Sequence, residues 1–144
     1  MNTITISQRF RAPRQTIFDA LCDHENFGRL TGATITRIRD GQPPYPNGLG
    51  SVRRIKVFPA PAFEETVVTW EPGHLMEYEV TLGSPIKNHR GRMVFREEAG
   101  ETVLDYTITF EPRLPLPLLG TLLEQVIGWP IARGLRRYAA SLAS

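Results

Sequence analysis

Residues 116–142 constrain this chain most, because they alone are long and periodic enough to make a substantial helix. Leu119, Leu122, Leu123, Val126 and Ile127 recur at three- and four-residue spacing, which places them on one helical face. After Gly128, Trp129 and Pro130 the pattern resumes with Ile131, Leu135, Tyr138 and Leu142. At about 100° per residue, this second stripe is turned by roughly 120° from the first. Pro130 has no N–H for the carbonyl of Val126, and its ring crowds that turn, so the spacing predicts a kink. Two segments with separate roles follow. Residues 119–127 are expected to close one end of a cavity and residues 131–142 to seal the core, with Trp129 as a wall residue at the joint. Nearly everything upstream reads as strand, so the sheet must curve around this helix.

Residues 3–10 alternate, with Ile4, Ile6 and Phe10 on one side, which is the signature of a half-buried strand. Ala12-Pro13 opens a short helix whose inner face is Ile17, Phe18 and Leu21. Asp23 caps a second short helix that closes at Gly32. Residues 33–39 form a strand, and 40–48 a loop rich in proline and glycine. Five strands follow over residues 50–58, 63–70, 75–82, 86–96 and 102–111, joined by short turns such as Pro59-Ala60-Pro61 and Glu71-Pro72-Gly73. Joints this short force antiparallel neighbours. The expected fold is α+β in a single domain over residues 1–144, with about seven strands and two short helices after the first.

Alternation also gives the facing of each strand. Leu104, Tyr106, Ile108 and Phe110 share one side of the last strand, and His89, Gly91, Met93 and Phe95 one side of the strand before it. Met76, Tyr78, Val80 and Leu82 form a third set, and Ser51, Arg53, Ile55 and Val57 a fourth. The inner face therefore carries Arg53, Tyr78, His89 and Tyr106 among apolar side chains. Buried polar groups left unpaired cost about 1–3 kcal/mol each, so these four must meet each other, water or a ligand. An apolar wall with a few placed polar groups is the composition of a small-molecule cavity. Its expected lining is Arg53, Tyr78, His89, Met93, Tyr106, Phe110, Leu119, Leu123 and Trp129. Glu64, on the side of Thr66, Val68 and Trp70, is a further candidate to look inward.

Other chemistries find little support. A formal charge of +2 leaves no nucleic-acid footprint, and Arg133, Arg136 and Arg137 read as a solvated helical face. The three histidines lack metal-ligand spacing, so neither a metal nor a cofactor is expected. Gly48-Leu49-Gly50 leads into a strand rather than a helix, unlike a dinucleotide fingerprint, and no Gly-x-Ser-x-Gly elbow occurs. Cys22 stands alone, which favours a reducing compartment. With no signal-peptide core and no apolar run approaching the ~20 residues of a membrane span, a cytoplasmic location is expected.

Several stretches resemble a known family. They are Ala12-Pro13 with Ile17-Phe18, Asp23-His24-Glu25-Asn26-Phe27, Gly48-Leu49-Gly50-Ser51-Val52-Arg53, Trp70-Glu71-Pro72, Tyr78-Glu79-Val80 and the final apolar helix. Together with the element order they resemble the polyketide cyclase/dehydrase and lipid-transport group of the START/Bet v 1-like (SRPBCC) superfamily. The resemblance implies a helix-grip fold, a curved antiparallel sheet around the long kinked C-terminal helix, with a cavity for apolar or polyaromatic molecules between them. Three functions follow as expectations. The first is binding of a small hydrophobic ligand: a lipid, a polyketide or a related metabolite. The second is a cofactor-independent cyclase/dehydratase, with His89 as acid/base and Tyr78, Tyr106 and Arg53 as donors to a developing enolate. The third is a partner-binding module, in which the loop at residues 114–118 is an interface or a gate. The expected assembly is a monomer or weak homodimer.

Overall fold

The computed structural model describes residues 1–57 and 60–143. Phe58 and Pro59, read above as the end of a strand and the start of a turn, lie outside the described residues. The elements in order are β1 (Asn2–Phe10), α1 (Arg14–Leu21), α2 (His24–Thr31), β2 (Thr34–Arg39), β3 (Val52–Lys56), β4 (Phe63–Glu71), β5 (Leu75–Leu82), β6 (Ile86–Glu98), β7 (Glu101–Pro112) and α3 (Leu119–Leu142). All seven strands form one antiparallel sheet in the order β1-β7-β6-β5-β4-β3-β2. The fold is the predicted helix-grip arrangement.

Local chemistry explains the short helices. The Asp23 carboxylate accepts the Asn26 N–H at 3.0 Å and caps α2, and Gly32 at φ +81° ends it in the left-handed conformation that a Cβ would disfavour. Phe18 and Leu21 from α1 and Phe27 from α2 enter the core beside Met76, Met93, Leu104 and Phe110. Leu82 and Val57, expected inside, are exposed at strand ends, where neighbouring elements no longer cover them.

The closing helix departs from the two-segment expectation. Leu123, Ile127, Ile131, Leu135, Tyr138 and Leu142 follow one another at three- or four-residue steps and all lie against the core. That is one continuous inner face along a 24-residue helix that runs through Pro130. The apparent rotation came from counting Leu122 and Val126 as inner residues, whereas they are 58% and 59% exposed. The missing Pro130 donor falls opposite the Val126 carbonyl, on the turn that faces water, so solvent can serve it. Trp129 is also corrected. It is 58% exposed, with the Arg133 guanidinium 5.5 Å from its ring centroid, and stands toward solvent rather than toward the interior.

Two glycines seat α3 against its neighbours. A Cβ on Gly128 would lie 3.1 Å from the Ile4 side chain on β1. A Cβ on Gly134 would lie 2.1 Å from the backbone carbonyl oxygen of Leu30 on α2, which cannot swing aside. Gly134→Ala should therefore destabilise by about 1–3 kcal/mol in urea unfolding, despite alanine's better helix propensity. An unchanged or raised midpoint would show that α2 and α3 can separate without penalty.

Candidate functional site

Arg53 on β3 is the hub of a buried polar cluster. It stands directly across from Glu65 on β4, and its Nε and Nη2 donate to Glu65 Oε1 at 2.8 and 2.7 Å. Its guanidinium carbon lies 4.4 Å from the centroid of the Tyr78 ring and 5.6 Å from that of Phe27. Burial works against the charge, but the Glu65 carboxylate outweighs it, so the pKa is raised and the guanidinium stays protonated.

The inward carboxylate is Glu65, not Glu64. Glu64 reaches Arg54 at 3.1 Å on the outer side. A bulge between Val67 and Thr69 shifts the phase of β4, so Trp70 packs on the same side as Glu65 and Val67 although it lies three residues beyond Val67.

Tyr78 on β5 and Tyr106 on β7 hydrogen-bond to one another through their hydroxyls, bridging across β6. This is possible because Gly91 lies beneath the Tyr78 ring, where a Cβ would come 2.2 Å from Cζ. Burial is the largest influence raising both phenol pKa values, so both remain neutral. His24, at the start of α2, completes the other flank. Its Nδ1 faces Arg53 Nη1 at 3.5 Å, and its Nε2 is 2.9 Å from Ser51 Oγ. A guanidinium only donates, so Nδ1 accepts and the proton sits on Nε2, directed at Ser51. Burial, then the charges of Arg53 and Arg37, push the His24 pKa down to about 2.

His89 does something the sequence did not suggest. Direct β5–β6 pairing stops at Tyr78 and Gly91, and β6 bulges between Lys87 and Arg90, with Asn88 at φ +51°. Beyond that point the Val80 N–H donates to His89 Nδ1 at 3.0 Å, so the imidazole replaces a backbone acceptor. The ring proton therefore sits on Nε2, 3.8 Å from Glu65 Oε2. Burial, against the opposing pull of Glu65, lowers the pKa and keeps the ring neutral. Its one lone pair is already engaged, so His89 is not free to act as a general base. Where the strands part, two clefts of about 450 and 350 Å³ flank His89, lined chiefly by polar and charged residues such as Glu79, Asn88, Arg90 and Lys87.

The structure thus brings Arg53, Tyr78, His89 and Tyr106 together, with Met93 and Phe110 on the same buried face. Leu123 lies half-buried on the inner side of α3, Leu119 is half-buried at its start, and Trp129 stands apart. Sequence reasoning missed His24, Ser51 and Glu65. Ser51 shares the Arg53 face, and Glu65 is the cross-strand partner that a buried arginine requires. Chemically the cluster offers donors (a guanidinium and two phenols) rather than an open base. Among the described residues no three histidine, cysteine or acidic side chains are grouped to hold a metal ion.

No curated protein matches this sequence. Solved structures of the same fold include a START superfamily protein from Mycobacterium smegmatis, at 15% identity and TM-score 0.80, covering 99% of each chain. XoxI from Bacillus cereus is similar at 12% identity and TM-score 0.77, over 100% of this chain and 97% of that one. The Aha1 dimer of Colwellia psychrerythraea is similar at 14% identity and TM-score 0.69, over 99% and 96%. Residues 1–143 match the family model described as polyketide cyclase/dehydrase and lipid transport, and the chain belongs to that family.

Proposed function

We propose that this protein binds a small hydrophobic molecule with one polar end, a lipid, polyketide or related metabolite, between the concave sheet and α3. One observation carries the reading: an ion-paired arginine and two phenols, with N–H and O–H donors beyond those their partners engage, sit at the centre of an otherwise apolar concave face. Well-packed apolar residues would stabilise such a core as well or better, so stability alone does not account for an arginine there. In this reading Arg53, Tyr78 and Tyr106 receive the polar end. Met93, Phe110, Leu119 and Leu123 receive the apolar body. The half-buried first turns of α3 move outward to admit it, while Leu135 stays fixed in the core. The cyclase reading is weaker, because the lone pair of His89 is held by the Val80 N–H.

The test is titration with palmitate and with 2-naphthoic acid, followed by backbone and arginine Nε resonances. Saturable one-to-one binding is expected, with shifts at Arg53 and residues 119–127. Leu123→Trp should fill the space and weaken binding roughly tenfold or more, a change of about 1.4 kcal/mol, without lowering the melting temperature. Absence of saturable shifts with both probes would remove this reading.

A further inference from the structure

We propose that the outward face of α3, with the loop that leads into it, docks on an anionic lipid surface. At about 100° per residue, Leu118, Leu122, Val126 and Trp129 fall on one side of the helix and Arg133, Arg136 and Arg137 continue that side toward its end. Leu114, Leu116, Leu118, Leu122, Val126 and Trp129 are all exposed, so an apolar leading loop runs into a helical side that is itself apolar through its first three turns. The only carboxylate in α3 is Glu124, and it turns away to accept from Asn2 Nδ2 at 2.7 Å. The leading loop, residues 112–118, contains no acidic residue.

The charge on this face is unanswered, and that identifies its occupant. On the sheet, Arg9, Arg54, Arg90, Arg92 and Arg96 each meet a carboxylate. Among the described residues Arg133, Arg136 and Arg137 meet none, and Arg133 lies on the Trp129 ring instead. Apolar side chains beside a tryptophan and unpaired arginines are the composition of a helix lying in the headgroup layer. A second copy seated here would bring three more arginines and no acid to meet them. An anionic lipid surface supplies the missing charge and accepts the leucines. The contact is superficial, since no helix of the described residues is long and apolar enough to cross a membrane. Leu118 adds an independent mark. It is held at φ +65° while 81% exposed, a strained backbone that presents an apolar side chain to solvent.

The experiment is co-sedimentation with phosphatidylcholine vesicles, with and without about a third phosphatidylglycerol, in low and high salt. Binding is expected only to the anionic vesicles, weakened by salt, with tryptophan fluorescence quenched by brominated acyl chains. Changing Arg133, Arg136 and Arg137 together to Gln should weaken partitioning roughly a hundredfold. Leu122→Asp with Val126→Asp should abolish it with little change in melting temperature, since both side chains are already exposed. Leu118→Gly separates docking from folding, because it should raise the melting temperature by relieving the backbone and yet weaken binding. Failure to bind anionic vesicles, equal binding to neutral ones, or a dimer that Val126→Asp dissolves would each overturn the proposal. None of these outcomes bears on whether a ligand occupies the interior.

Discussion

Replacing Glu65 with leucine should lower the stability of the fold by about 3–5 kcal/mol. The variant leaves a fully buried guanidinium with no carboxylate, facing two phenols and a neutral imidazole. For a domain whose total stability is roughly 5–15 kcal/mol, that approaches unfolding at room temperature. The informative comparison is the double variant Arg53→Met with Glu65→Leu. With both charges gone the site is uncharged and of similar volume, with only neutral phenols and imidazoles around it, so most of the loss should be recovered. Urea unfolding of both single variants and the double variant closes the cycle. A double variant as unstable as the sum of its parents would mean the pair is not coupled as drawn. If ligand binding is what the pair serves, the restored double variant should fold but bind the palmitate carboxylate weakly.

Acidification should destabilise the protein well before most of its carboxylates titrate, and His24 is the main cause. Its folded pKa is near 2, whereas an unfolded histidine titrates near 6.5. Above about pH 6.5 both states hold the ring neutral, and its contribution to stability is fully present. Below that pH the unfolded chain takes up a proton that the fold refuses, so stability falls as pH falls. Each pH unit in this window costs up to about 1.4 kcal/mol, or about 2–3 kcal/mol between pH 6.5 and 4.5. His89, also depressed by burial, adds in the same direction. Glu77, Glu98 and Glu111 are lowered too, but their contributions are fully present above the ordinary carboxylate range and are lost only as pH falls through it and below. His24→Gln removes the titrating ring and keeps a donor for Ser51. Measured at pH 7.5 and 4.5, its stabilities should differ by less than those of the parent. The same pH dependence in both proteins would assign the acid lability to other groups.

Strand order, the antiparallel meander and the inward set on β6 and β7 were legible because β7, and β6 beyond its bulge at Lys87 and Arg90, keep a period of two. The residues that converge on Arg53 were partly legible for the same reason. Glu65 was hidden by the bulge at Val67 and Thr69, which shifts the phase and made Glu64 look like the inward carboxylate. His24 was hidden because it lies in the polar run Asp23-His24-Glu25-Asn26, where nothing local distinguishes a buried ring from solvated neighbours. His89 was placed on the correct face, but its role was unreadable, since a side chain that substitutes for a strand acceptor leaves no trace in alternation. On α3 the periodicity admitted two stripes, and only the tertiary contacts at Ile4 and Leu30 select the one that is buried.

The strand order leaves the sheet unclosed, with β2 at one margin offering a row of backbone donors and acceptors to any passing chain. Such a margin is a template for aggregation unless it is defended. Here Arg37 and Arg39 stand on it, and the ladder to β3 slips between them, so the strand is both charged and irregular where it is most open. Colloidal restraint is thus built into the margin, and the sheet can stay curved and open around its helix without recruiting further strands.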